Sequence, residues 1–106
     1  MRKTTQTVAA AFVAHEKKHM GNTSTDGQIF RLYGNAIAQW RNDGTLEICL
    51  ASWNTNTTKE RINGILQTVK SPLYLCTIKG QLSLYNTKTE VATPINSRDW
   101  FPVEVV

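Results

Sequence analysis

The residues in this chain that could do chemistry begin with two histidines four positions apart, in the stretch AHEKKHMG. His15, Glu16 and His19 match the HExxH pattern, in which two histidines on one helix face bind zinc and the glutamate activates a water molecule. A catalytic zinc site needs a third protein ligand. The chain holds only two histidines, so that ligand would have to be a distant carboxylate, with these candidates: Glu47, Glu60 and Asp99.

The surroundings of the two histidines argue against a zinc enzyme. Lys17 and Lys18 would place two positive charges beside the metal, which disfavours Zn²⁺ binding. Cys49 and Cys76 do not form the close pair that structural zinc sites use, and we expect them to be free thiols in strands, with a disulfide between them as the alternative. We therefore predict no cofactor, no metal and no catalytic residue. His15 and His19 are the metal candidates that the chain offers, and a zinc hydrolase is the third of three hypotheses about function.

Composition predicts one compact domain over residues 1–106. The chain is 41% hydrophobic and 19% charged, which is typical of a globular protein. No apolar run is long enough to cross a bilayer, so we expect no membrane partner. Residues 8–14 are too short and too rich in alanine for a secretion signal, which favours the cytoplasm. The net charge of +4 leaves nucleic acid open as a partner.

The first predicted helix carries the histidine motif. Thr4 or Thr5 can cap a helix that runs to about His19, where Gly21 ends it. His15 and His19 would then continue the apolar face of that helix and half-bury their rings. Lys17 and Lys18 would face water. The segment at residues 21–27 is expected to be a loop.

The rest of the chain predicts an α+β fold in the order α-β-β-β-α-β-β. Alternating patterns and turn residues predict strands at these ranges: 28–33, 36–41, 45–52, 73–78 and 81–86. The predicted turns are Gly34-Asn35, residues 42–44 and Lys79-Gly80, and residues 98–106 form an optional edge strand. The hairpin at 73–86 should place these residues on one face: Leu75, Thr77, Leu82 and Leu84. Together these elements predict an antiparallel sheet of five or six strands with two helices.

The second predicted helix spans residues 57–70 and ends before Pro72. Thr57 and Glu60 fit a capping box, in which each side chain accepts a hydrogen bond from the other's backbone N–H. Gly64 interrupts the helix pattern, and close packing against a strand would explain it.

Aromatic residues give the remaining candidates for binding. The predicted hairpins place four rings on one sheet face, where they could stack on nucleic-acid bases, cover a second core or cover a partner surface: Tyr33, Trp40, Tyr74 and Tyr85. Trp53 and Trp100 are expected to be exposed, and exposed aromatics beside polar loops are typical of protein-binding surfaces.

Several short motifs between residues 21 and 66 occur in a fixed order. They are GNTSTDG at residues 21–27, GNAIA at 34–38, a tryptophan at 53, and TNTT at 55–58 followed by Arg61 and Asn63. In this combination the chain resembles a widespread family of small proteins encoded by tailed bacteriophages. That resemblance implies a phage protein made in a bacterial cytoplasm.

The leading hypothesis is therefore a non-enzymatic phage accessory protein that binds a host protein and inhibits a defence or metabolic system. Candidate partner-binding residues are Lys17, Lys18, Trp53, Arg61 and Trp100. Arg61 and Asn63 are expected near a helix start, where they either serve capping and packing or, if Arg61 is exposed, bind an anion or a partner's carboxylate. The alternative is a nucleic-acid-binding protein that uses the basic first helix and the sheet aromatics.

Overall fold

A computed structural model describes residues 1–103 and shows two helices and nine strands within them. The helices are α1 (Lys3–Val13) and α2 (Asn56–Thr68). The strands are β1 (Lys18–Met20), β2 (Thr23–Thr25), β3 (Ile29–Leu32), β4 (Asn35–Trp40), β5 (Leu46–Ile48), β6 (Leu73–Ile78), β7 (Gln81–Asn86), β8 (Val91–Pro94) and β9 (Phe101–Val103). The predicted edge strand at the chain end is present as β9, and the rest of its predicted range, 104–106, lies outside the described residues.

The strands form two antiparallel sheets. The larger sheet has the order β1-β2-β3-β4-β5-β9, and the smaller has the order β6-β7-β8. The α+β class and the two helices are confirmed. Strands β1, β2 and β8 were not predicted. The strands form two sheets, whereas a single sheet was predicted. One apolar core joins both sheets to both helices, and its largest fully buried aliphatic and aromatic residues are Phe12, Phe30, Ile37, Leu46, Ile48, Leu50, Ile62, Ile65 and Leu66.

Helix α1 ends six residues earlier than predicted, because a histidine terminates it. His15 adopts a left-handed backbone with φ 58°. Its N–H bonds the Phe12 carbonyl at 3.1 Å, and the Glu16 N–H bonds the Ala11 carbonyl at 2.8 Å. This pair of bonds is the Schellman arrangement, in which the left-handed position usually holds glycine. The expected helical face shared by His15 and His19 is therefore wrong.

The predicted loop at residues 21–27 contains strand β2. Thr23 and Thr25 are buried, and their strand pairs with β1 on one side and β3 on the other. Threonine has the β-branched shape that strands favour. Its hydroxyl made this buried strand look like a polar loop in the sequence.

The hairpin between β3 and β4 turns at Tyr33-Gly34, one residue before the predicted turn. Leu32 pairs with Asn35, which leaves Tyr33 and Gly34 as the two turn residues, at φ 51° and 80°. Positive φ at both positions defines the type I′ turn. The Lys79-Gly80 turn is confirmed, with φ 50° and 80° and with Ile78 paired to Gln81.

The β6–β7 hairpin has the predicted register. Leu75 pairs with Leu84 and Thr77 pairs with Leu82, and these three leucines are buried in the core. Thr77 lies at the exposed end of that face.

Gly64 allows the two helices to approach each other. A Cβ atom at Gly64 would lie 2.2 Å from Cγ2 of Thr5, a buried residue of α1. The expectation that Gly64 packs against a strand is wrong, because its close neighbour is a helix. This close approach positions α2, whose first turn lines a cleft.

Candidate functional site

A cleft of about 520 Å³ lies beside the β3–β4 turn and the first turn of α2. It is lined by Leu32, Tyr33, Asn35, Ile37, Leu50, Trp53, Thr55, Thr57 and Thr58. No lining residue is acidic or basic. Its size and its mix of apolar and polar lining residues are those of a typical ligand pocket.

The floor of the cleft is aliphatic, and a β-bulge shapes it. The register between β3 and β4 shifts after the Arg31–Ala36 pair, so that Phe30 pairs with Ala38. As a result, Ile37 and Ala38 are both buried although they are adjacent in a strand. The bulge therefore turns Ile37 toward the floor, where it joins Leu32 and Leu50.

Tyr33 forms one rim of the cleft in a costly conformation. Its side chain is 72% exposed, and its φ of 51° is rare for a bulky residue. Asparagine or glycine would suit this turn position better. Lys79 takes the same position in the Lys79-Gly80 turn, at φ 50°, so it is the exposed ring of Tyr33 and not its backbone that distinguishes this turn.

Trp53 forms the other rim and is 59% exposed, as predicted. The two residues before it, Ala51 and Ser52, also have left-handed backbones, with φ 53° and 67°. Hydrogen bonds fix this loop: the Trp53 N–H donates to the Leu50 carbonyl, and the Ser52 N–H donates to the Ser97 carbonyl, both at 2.8 Å. Trp53 is thus held in place by its backbone while its ring faces solvent.

Hydroxyl groups from the start of α2 form a wall of the cleft. Thr55 is the N-cap, and its Oγ1 accepts a hydrogen bond from the Thr58 N–H at 3.2 Å. The Thr55 and Thr58 hydroxyls also bond each other at 3.0 Å. The predicted capping box between Thr57 and Glu60 is therefore wrong. Thr57 lines the cleft instead of capping the helix, and the Glu60 carboxylate pairs with a different group.

That group is the guanidinium of Arg61, which is only 3% exposed. Its Nε donates to Thr23 Oγ1 at 3.0 Å, and an Nη donates to Thr5 Oγ1 at 2.9 Å. The same Nη forms an ion pair with Glu60, and the other Nη approaches the Asn22 side chain at 3.5 Å. We call these residues the Arg61 cluster: Thr5, Asn22, Thr23, Glu60 and Arg61.

Within the Arg61 cluster, α1, α2 and the start of β2 are joined by hydrogen bonds. The expectation of an exposed Arg61 that binds a partner's carboxylate is wrong, because the carboxylate it binds is that of Glu60 in its own chain. A cluster with satisfied hydrogen bonds stabilises the packing of the two helices.

The pKa of Glu60 is lower than its ordinary value of 4.5, as the balance of opposing effects. Burial is the largest effect and by itself raises the pKa of this carboxyl. Hydrogen bonds from the Thr5 hydroxyl, the Arg61 guanidinium and the Arg2 backbone N–H together outweigh burial. Glu60 is therefore held in its charged form as the counter-ion of Arg61.

Asn63 connects α2 to the smaller sheet. Its amide Nδ2 donates to the Leu75 carbonyl at 3.1 Å, and its Oδ1 accepts from the Leu75 N–H at 2.7 Å. The side chain thus bonds both backbone groups of one β6 residue. Asn63, like Arg61, connects parts of the fold.

The four aromatics expected on one face are distributed over two sheets. Tyr74 and Tyr85 pair in the smaller sheet, with ring centroids 5.3 Å apart. Trp40 stacks on Phe12 with ring centroids 5.4 Å apart, and its indole N–H donates to the Phe12 carbonyl at 3.1 Å. Only Tyr33 among the four reaches the cleft. A stacking platform of four rings on one face is therefore wrong.

The predicted metal candidates lie in different elements. His15 is in the turn after α1. The centroid of its ring lies 5.0 Å from that of Trp40, and its Nδ1 lies 3.2 Å from the Gly27 carbonyl oxygen. His19 is in β1, and its Nε2 lies 2.9 Å from the Gly21 carbonyl. Within residues 1–103, no three His, Cys, Asp or Glu side chains are grouped as metal ligands would be. The two histidines of the HExxH pattern therefore do not lie on the shared helix face that zinc binding by this pattern requires.

Lys17 and Lys18 are exposed, as expected, and they line a shallow depression together with His19, Ser24, Thr25, Asp26 and Arg31. Trp100 is 36% exposed and lies outside the cleft. Cys49 and Cys76 are free thiols. Cys49 is buried just after β5, and Cys76 is partly buried in β6.

Residues of the sequence motifs thus meet at two places beside α2, the cleft and the Arg61 cluster, in a small antiparallel α+β protein. The sequence model of the family described as Kyanoviridae Gp96 protein matches residues 1–102, and the chain belongs to this family. The match confirms the resemblance and extends it from the central motifs to both helices and both sheets. Searches of curated proteins and of solved structures find no match. Within residues 1–103, no helix has the length and apolar character that crossing a membrane requires.

Proposed function

We propose that this phage protein binds a protein of the host cell through the cleft between Tyr33 and Trp53. The observation that carries the proposal is the pair of exposed aromatic rings on the rims of an uncharged cleft. Tyrosine and tryptophan supply much of the binding energy at protein interfaces, because their large rings lose little conformational entropy on binding. The proposed setting is the host cytoplasm, and the proposed effect is inhibition of a defence or metabolic system.

The test is affinity capture from the host with three versions of the full chain. The wild type and a Trp100→Ala control should retain the same host protein, whereas a Tyr33→Asn/Trp53→Ala variant should lose it. Trp100 is also a partner-binding candidate of the sequence, but it lies outside the cleft, so the cleft proposal predicts that Trp100→Ala leaves capture unchanged. Retention of the same protein by the double variant would refute the role of the cleft.

A second candidate function is nucleic-acid binding at the basic depression. The observation that favours it is the grouping of Lys17, Lys18, His19 and Arg31 around one surface feature. Asp26 lies in the same depression and partly offsets their charge. Binding to DNA or RNA that weakens steeply with salt, and that Lys17→Ala/Lys18→Ala abolishes, would favour this function over the first.

A further inference from the structure

We propose that the cleft takes an extended, uncharged segment of its protein partner that is rich in proline and aliphatic residues. This inference rests on the proposed function, since it names the chemistry that the partner presents to Tyr33 and Trp53. Three properties of the cleft support it: its lack of charge, its two aromatic rings beside an aliphatic floor, and the pairing of the strands around it.

The lack of charge in the lining selects an uncharged ligand. A charged group that enters a partly apolar cleft loses hydration, and no opposite charge is present there to compensate. The same argument disfavours a nucleic-acid strand, whose phosphates need basic side chains along their path. The grouped basic residues Lys17, Lys18 and Arg31 line a different depression.

The lining of the cleft favours an extended segment that contacts both aromatic rings. Tyr33 and Trp53 stand above an aliphatic floor of Leu32, Ile37 and Leu50. Grooves lined by aromatic rings bind polyproline II segments in several protein families, since such segments are already ordered before binding. Proline and aliphatic side chains also match the apolar floor.

The strands around the cleft leave no room for the partner to add a strand. β3 is paired with β2 and β4, and β4 is paired with β3 and β5. Neither strand therefore offers a free edge to the segment in the cleft. An added strand needs such an edge.

The experiment is a selection of random decapeptides on the immobilised full chain, with counter-selection on the bare support. We expect enriched peptides to be uncharged and rich in proline and aliphatic residues. Their affinity, measured in solution by fluorescence anisotropy, should fall at least about tenfold for Tyr33→Asn and for Trp53→Ala. It should change less than about twofold for Trp100→Ala, because that residue lies outside the cleft. Circular dichroism checks that each variant is folded.

Each other outcome overturns the inference. Enriched peptides that are charged, or whose apolar residues recur with helical spacing, overturn it; if Trp53→Ala abolishes their binding, the proposed function survives. Peptides that bind Tyr33→Asn and Trp53→Ala as well as the wild type overturn the inference, and so does a selection without enrichment. An oligothymidylate probe that binds the wild type and is lost in Trp53→Ala overturns it in favour of nucleic acid. The proposed function fails in a different experiment: the Tyr33→Asn/Trp53→Ala variant would then capture the same host protein as the wild type.

Discussion

The Arg61 cluster and the cleft contain polar residues of α2 that lie about one helical turn apart. In one the polar side chains bond each other, and in the other they line the cleft. In the Arg61 cluster, the polar side chains bond one another across α1, α2 and β2. In the cleft, the side chains of Tyr33, Asn35 and Trp53 remain open to solvent. A motif residue whose hydrogen bonds are all internal explains the fold. One that keeps an exposed ring beside the cleft remains available to a partner.

The largest expected effect tests the structural half of this comparison. Arg61→Met should lower the free energy of unfolding by about 3 kcal/mol, because it removes several buried hydrogen bonds and leaves Glu60 without its counter-ion. Urea unfolding followed by circular dichroism measures the change. Trp53→Ala, measured in the same way, should cost less than about 0.5 kcal/mol, since its ring is exposed.

Arg41 supplies the matched control for that variant. It also forms an ion pair, with Glu47 at 3.7 Å, but its side chain is 55% exposed. Arg41→Met should therefore cost less than about 1 kcal/mol. Equal losses for Arg41→Met and Arg61→Met would contradict the structural role assigned to the Arg61 cluster.

The next effect tests how closely α1 and α2 must approach at the Arg61 cluster. Gly64→Ala should destabilise the protein by about 2 kcal/mol, since the new methyl group would overlap Cγ2 of Thr5. Thr5→Ser removes that methyl group and keeps the hydroxyl that bonds Arg61 and Glu60. Thermal melting of the double variant should show most of the loss recovered. No recovery would mean that another contact keeps residue 64 small.

The sequence predicted those features whose cause is local. The α+β class, the Lys79-Gly80 turn and the register of the β6–β7 hairpin follow from alternation and from turn residues within a few positions. The exposed Trp53 beside a polar loop was also predicted, and so was the phage family. These signals need no knowledge of distant parts of the chain.

The missed features have two kinds of cause: contacts between residues far apart in sequence, and residues with side chains at backbone positions where glycine is expected. Arg61 is buried because Thr5 and Thr23, more than thirty positions away, supply its acceptors. The end of α1 was missed because His15 takes the left-handed position where glycine is expected. Tyr33 was assigned to a strand for the same reason, although the glycine after it is a signal for a type I′ turn.

A smaller effect tests the cleft half of the comparison. Tyr33→Asn should raise the free energy of unfolding by about 1 kcal/mol, because asparagine adopts the positive φ of this turn at lower cost. The same variant should lose binding at the cleft. A gain in stability with a loss of binding would indicate that the tyrosine is kept for its ring. Urea unfolding together with the peptide assay measures both, and a loss of stability would contradict the strain assigned to Tyr33.

The smallest effect concerns the charge of Glu60 and gives the Arg61 cluster a pH dependence that the uncharged cleft lacks. Because the folded state lowers the pKa of this carboxyl, its contribution to stability is full above pH 4.5, the ordinary value, and is lost as the pH falls through the lower folded value. Asp26 and Asp43 also have lowered pKa values, held down mainly by backbone N–H groups, so the wild type alone would report all three carboxyls. The informative quantity is the difference in unfolding free energy between the wild type and Glu60→Gln. That difference should favour the wild type at neutral pH and shrink as acid protonates Glu60, whereas the difference between the wild type and Trp53→Ala should stay constant. A Glu60→Gln difference that does not change with pH would mean that the carboxylate acts through packing alone.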